Sequence, residues 1–101
     1  MNPVEILSHS KALWNMSRFD LGSDEALSQI LDRGSLEDWS ALYALMRSDG
    51  DEALRLRERV HGILYRVPEP YPWFWLAALS ALGHPVDWSL PPKRSVGEAR
   101  I

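Results

Sequence analysis

Apolar positions along the chain recur at helical spacing, and none of its segments alternates in the way a half-buried strand requires. Residues 3–14 open with Pro3, which a first helical turn tolerates, and place Ile6, Leu7, Leu13 and Trp14 on one face, with Val4 off the stripe. Asn15 to Gly22 mixes polar residues with Phe19 and Leu21 and reads as a loop pinned by two apolar contacts. Ser23 is a candidate N-cap for a helix over 24–33, in which Ala26, Leu27, Ile30 and Leu31 form the stripe, Asp24 and Glu25 suit the positive helix end, and Gly34 marks the stop.

Ser35 begins the next helix with a near capping box completed by Asp38. Leu36, Trp39, Leu42, Tyr43, Leu45 and Met46 then cover so wide an arc that this helix is expected to be largely buried. After Arg47 to Gly50, either Asp49 or Asp51 is a candidate cap for a helix from about Glu52 to Arg66, which ends before Pro68. Its packing face is Leu56, Val60, Ile63, Leu64 and Val67, while Arg55, Arg59 and Arg66 lie within about 40° of one another on a different face. Proline at 68, 70 and 72 enforces an extended strap, and a last helix runs from Pro72 to Leu82 before Gly83. That helix is apolar all round except Ser80. The remainder, rich in turn formers, predicts an extended tail whose last eight or so residues are mobile. The expected architecture is an all-α compact bundle of about five short helices, with a helical domain over 1–87 and the tail over 88–101.

At 101 residues, with five tryptophans and no cysteine, the chain admits one domain, without disulfides, thiol nucleophiles or thiolate metal sites. No charged n-region precedes an apolar run at the start, and no stretch approaches the ~20 apolar residues of a membrane span, so a soluble, cytoplasmic protein with no membrane partner is expected. The net charge of −3 conceals an asymmetry: residues 1–50 hold four basic and eight acidic side chains, and 51–101 hold seven and six. A weakly acidic total argues against a dedicated nucleic-acid binder.

Candidate chemistry is sparse. His9, His61 and His84 fall in separate elements and the glycines are dispersed, so neither a metal site nor a phosphate cradle is indicated; no cofactor is expected. Arg55 and His61 resemble the Arg-x(4–6)-His signature of HEPN-type RNases. Leu56 follows the arginine where such enzymes carry a polar residue, and the two side chains point about 120° apart on a regular helix. A DNA-binding repressor using Arg55, Arg59 and Arg66 is the other alternative, although Asp49, Asp51 and Glu52 at the head of that helix would repel a phosphate backbone. A solvent face salt-bridged to Glu52 and Glu58 is the preferred account of these arginines.

Trp73, Phe74 and Trp75 are consecutive, so on a helix their rings fan over about 200° and cannot all face one core. With Tyr71 before them, and Trp88, Lys93 and Arg94 in the tail, they are the candidate partner-binding residues. The segment LSQILDRGSLEDWSAL, Leu27 to Leu42, resembles a family of short bacterial helical proteins with an Ile-Leu-x-x-Gly-[Ser/Thr]-Leu-Glu-Asp core, and Trp14 and Phe74-Trp75 agree in order along the chain. Members of that family are encoded beside nucleotidyltransferase-like toxins of the abortive-infection type and are regarded as their antitoxins. The resemblance implies a non-enzymatic protein that binds and neutralises such a toxin, with Gly34, Ser35, Leu36, Glu37, Asp38, Trp39, Phe74 and Trp75 as the matched positions. The residues themselves read as a helix-stop, cap and packing unit. A homo-oligomer is also open.

Overall fold

A computed structural model describes residues 2–13 and 22–95. The described chain forms five α-helices: α1 (Pro3–Ser8), α2 (Asp24–Arg33), α3 (Leu36–Arg47), α4 (Asp51–Arg66) and α5 (Pro72–Ala81), with a single 3-10 turn at Lys11–Leu13. Among the described residues there is no strand, only one isolated parallel bridge between Glu69 and Arg94. The all-α bundle is thus present. No helix is long and apolar enough to cross a membrane among these residues.

The helix ends follow the chain's polar punctuation. Ser23 accepts from the Ala26 amide at the head of α2, and Ser35 and Asp38 form a reciprocal capping box at the head of α3. The Asp49 or Asp51 cap expected for α4 is not formed: Gly50 occupies the N-cap position at φ 106°, without a side-chain cap. A left-handed backbone there suits glycine and turns the chain sharply between α3 and α4. Gly83, at φ 86°, ends α5. There the His84 amide donates to the Leu79 carbonyl (3.0 Å) and the Gly83 amide to that of Ser80 (2.9 Å), a Schellman closure.

The first helix is shorter than its apolar spacing suggests. It stops at Ser8 rather than continuing to Trp14, which lies outside the described residues together with Phe19 and Leu21. Three serine contacts explain the stop. Ser8 Oγ donates back to the Val4 carbonyl (2.8 Å), while Ser10 Oγ accepts from the Ala12 amide (3.1 Å) and donates to Asp38 Oδ2 (2.6 Å). Side-chain hydroxyls thus take over backbone partners that a longer helix would use.

The core joins Leu7 and Leu13 to Leu27, Ile30 and Leu31 of α2, Leu42 and Met46 of α3, Leu56, Val60, Ile63 and Leu64 of α4, and Trp75, Leu76 and Leu79 of α5. Each such side chain contributes roughly 1.5–3 kcal/mol by leaving water. Arg57 of α4 donates to the Met46 carbonyl at the end of α3 (2.6 Å), satisfying a terminal acceptor and placing a cation at the negative helix end.

The tail is extended, as expected, and its described part is tied down. Lys93 N–H donates to the Leu64 carbonyl and Ser95 N–H to that of Glu69, both at 3.0 Å, and Tyr65 Oη donates to the Leu90 carbonyl (3.0 Å). Pro92 is buried. Residues 96–101, where most of the expected mobility falls, lie outside the described chain.

Candidate functional site

The Trp39 indole organises one side of the molecule. Its Nε1–H donates to the Ile30 carbonyl at the end of α2 (2.7 Å), which fixes the ring across the α2–α3 turn. Around it stand Tyr71 at 5.7 Å, Phe74 at 5.2 Å and Trp75 at 5.2 Å between ring centroids, with Phe74 stacked and the other two edge-on. Aromatic pairs in these geometries contribute about 0.5–1.5 kcal/mol each beyond area burial. The sequence-derived aromatics therefore divide. Trp75 is 1% exposed and belongs to the core, which corrects its expected place on the surface, although it borders the groove described below; Phe74, at 52%, lies open on the same cluster. The cause is the helical wheel: α5 rests chiefly on α4, so Trp75, Leu76 and Leu79 turn inward and Phe74 is left on the flank.

Beside Phe74 runs a groove of about 420 Å³ between α3 and α5, lined by Leu36, Trp39, Tyr43, Ala77 and Ala78 among others. Leu36 is 78% exposed, and Trp39 and Tyr43 are only part-buried, which corrects the expectation of a largely buried α3. Its buried residues are Asp38, Ala41, Leu42 and Met46. Leu36 and Tyr43, seven residues apart, fall on the same side two turns apart and make a second apolar stripe facing water. The wide arc seen in the sequence was the available signal for this surface. A bundle of short helices cannot cover so much of one circumference.

The remaining candidate residues lie elsewhere. Trp73 stacks on Trp88 of the tail, with centroids 6.3 Å apart and planes at 12°, both rings open to solvent. Tyr71 is exposed at its edge-on contact with Trp39. Lys93 and Arg94 are exposed while their backbones pair with the core and the strap.

Two of the three arginines of the basic face are paired, with a different acid from those expected. Arg59 and Arg66 both reach Asp24 of α2, at 2.9 and 3.0 Å, instead of relying on Glu52 and Glu58 within α4. Bridging two helices holds α2 against α4, a job that local partners cannot do. Arg55 is exposed at a shallow 300 Å³ hollow shared with Glu52 and Arg59. His61 sits among rings, 5.2 Å from Tyr65 and 4.9 Å from His84, and its Nε2 is buried without a hydrogen-bond partner. Burial, then the neighbouring His61 and Arg57, hold the His84 imidazole below its usual range. Asp87 is held low by the Ser89 hydroxyl and amide.

Among the described residues two acids are buried: Asp38, expected only as a cap, and Glu69, which the sequence did not single out. Asp38 accepts from Ser10 Oγ (2.6 Å) and the Ser35 amide (3.0 Å), joining the chain after α1 to the head of α3. Glu69, in the middle of the proline strap, is 0% exposed. Its Oε2 accepts from Ser28 Oγ (2.7 Å) and its Oε1 has no partner. Burial pushes this carboxyl up from 4.5 to about 7, against the lowering effect of the Ser28 hydrogen bond and with help from the Asp32 charge. No group of three or more His, Asp or Glu side chains able to hold a metal occurs among the described residues. No protein-family model, curated protein or solved structure matches this chain.

Proposed function

We propose that this is a non-enzymatic binding module, an antitoxin-like inhibitor that seats an apolar segment of a partner enzyme in the groove between α3 and α5. The observation that carries the proposal is the groove itself: Leu36 and Phe74 stand open at its edge, and no charged side chain lines it. Burying such a surface favours association, and large aromatic anchors in a desolvated groove are the usual source of interface energy. Trp39 is held by its hydrogen bond to Ile30, so the groove floor is ordered before a partner arrives. The identity of the partner, a nucleotidyltransferase-like toxin acting in the cytoplasm, rests on the resemblance of residues 27–42 to antitoxins of that class.

The test is co-expression with a nucleotidyltransferase-like toxin of the abortive-infection type, scored by rescue of growth and by calorimetry on the purified pair. Leu36→Asp and Phe74→Asp each place a charge in the groove and are expected to weaken binding about 30-fold or more, an anchor-sized loss of ~2 kcal/mol. Leu36 is 78% exposed, so Leu36→Asp should leave the thermal midpoint within a few degrees of wild type, whereas Phe74→Asp also loses its ring contacts with Trp39 and Trp75 and should lower it further. Undiminished affinity in the double variant would refute the groove as the binding site.

A further inference from the structure

The strap and the tail meet at the backbone of Glu69, whose side chain is buried on the α2 side. Glu69 lies between Pro68 and Pro70 and its side chain is sealed from water. Its backbone carbonyl accepts from Ser95 N–H, and it bridges in parallel to Arg94. One carboxyl oxygen receives the Ser28 hydroxyl and the other receives nothing. A neutral acid tolerates this poverty of donors, whereas a carboxylate in the same place lacks the two or three donors that a buried charge requires.

We infer that Glu69 is a proton-operated latch: while neutral it lets residues 88–95 lie against the strap and α4, and its ionisation releases them. The surrounding charges favour this behaviour. From α2, the exposed Asp32 repels a second negative charge, and the Ser28 hydroxyl is the group that donates to it. Arg66 at the end of α4 is engaged by Asp24. From the tail, the Lys93 and Arg94 side chains are exposed, and no cation hydrogen-bonds to the Glu69 carboxyl among the described residues. Release opens the Lys93 to Leu64 and Ser95 to Glu69 hydrogen bonds, frees the Tyr65 hydroxyl from Leu90 and parts the Trp73–Trp88 stack. The latch stands independently of the partner proposal, because it concerns the chain alone.

Amide hydrogen exchange of the full chain tests it, with each rate divided by the intrinsic rate at that pH. Protection of the Lys93 and Ser95 amides is expected to fall between pH 5 and pH 8.5 by up to roughly 70-fold, the most that a shift from 4.5 to about 7 can drive over that window. The α4 core amides should hold their protection. Glu69→Gln keeps the acceptor for Ser28 and cannot ionise, so its tail should stay protected across the range. Constant protection in the wild type, or the same fall in Glu69→Gln, would overturn the latch. Should Glu69→Gln fail to fold, carbon-13 titration of the wild-type Glu69 carboxyl decides: a midpoint near 7 supports the latch and one near 4.5 overturns it.

Discussion

Replacing Gly34 by alanine separates two accounts of the α2–α3 turn by the sign of the effect. Read as a helix stop alone, Gly34 is replaceable: its φ of −66° and ψ of 150° are open to any residue. Alanine would then stabilise the fold by about 0.4–1 kcal/mol, because it restricts the unfolded chain. The packing says otherwise. A Cβ at this position would meet the Ile30 carbonyl oxygen at 2.5 Å and Cδ1 and Nε1 of Trp39 at 2.9 Å each. That oxygen accepts from both the Gly34 amide (2.8 Å) and the Trp39 indole (2.7 Å), so neither side can retreat without losing a hydrogen bond. A lost part-buried hydrogen bond costs about 1 kcal/mol, and overpacking about 1–3 kcal/mol. Displacing Trp39 also loosens its contacts with Tyr71, Phe74 and Trp75. After subtracting the entropic gain, Gly34→Ala is expected to destabilise by about 1–3.5 kcal/mol, lowering the thermal midpoint on the order of 5–20 °C for a domain of this size. Urea unfolding followed by tryptophan fluorescence measures it. Gly83→Ala is the control: its φ is 86° with nothing within 4 Å of the added carbon, so only backbone strain of roughly 1 kcal/mol should appear. A Gly34→Ala midpoint at or above wild type would refute the close-approach argument.

Asp38→Ala leaves the Ser10 hydroxyl and Ser35 amide without their acceptor, and should cost about 2–3 kcal/mol in urea unfolding; a loss below about 1 kcal/mol would show that water replaces the carboxylate freely. The pH dependence of stability should carry two opposed contributions. With its folded value raised, Glu69 gives up its proton in the unfolded chain first, so its contribution falls as pH rises from 4.5 to about 7 and is level above that. The loss is on the order of 2–3 kcal/mol and is capped by the cost of opening the tail. His84, lowered from 6.5, acts the other way: its contribution is complete above 6.5 and is lost as pH falls through the lowered folded value. Between pH 4.5 and 7 the urea midpoints should therefore lose their decline with rising pH in Glu69→Gln, and below 6.5 they should lose the opposing rise in His84→Asn; variants that run parallel to wild type would refute both assignments.

Local signals made most of the fold legible. Ser23, Ser35 with Asp38, Pro72 and Gly83 each mark a helix end by chemistry that acts within four residues, and each end stands where that chemistry puts it. The misreadings needed partners from afar. α1 stops early because Ser10 finds Asp38, 28 positions away, and two arginines of the basic face are paired because Arg59 and Arg66 find Asp24, 35 and 42 positions away. Glu69 was invisible for the same reason, since the sequence shows an acid between prolines and says nothing of Ser28 or the returning tail.

The groove was legible as a contradiction before it was legible as a place. Two helices, one apolar all round and one apolar over half its circumference, demand more covering surface than a chain of 101 residues supplies. The fold resolves the excess by packing α3 on α1 and α4, and α5 on α4, and leaving the flanks of α3 and α5 side by side. Had Leu36, Tyr43 and Phe74 been scattered singly over the surface, their exposure would carry no meaning, since isolated apolar residues face water in every protein. Their convergence on one groove is different, because Trp39 supplies its floor and is itself fixed by a backbone acceptor that tolerates no side chain at Gly34. The turn, the indole and the open apolar flank therefore form one mechanical unit. A substitution at Gly34 should weaken partner binding as well as stability, although its Cα lies behind the groove rather than in it.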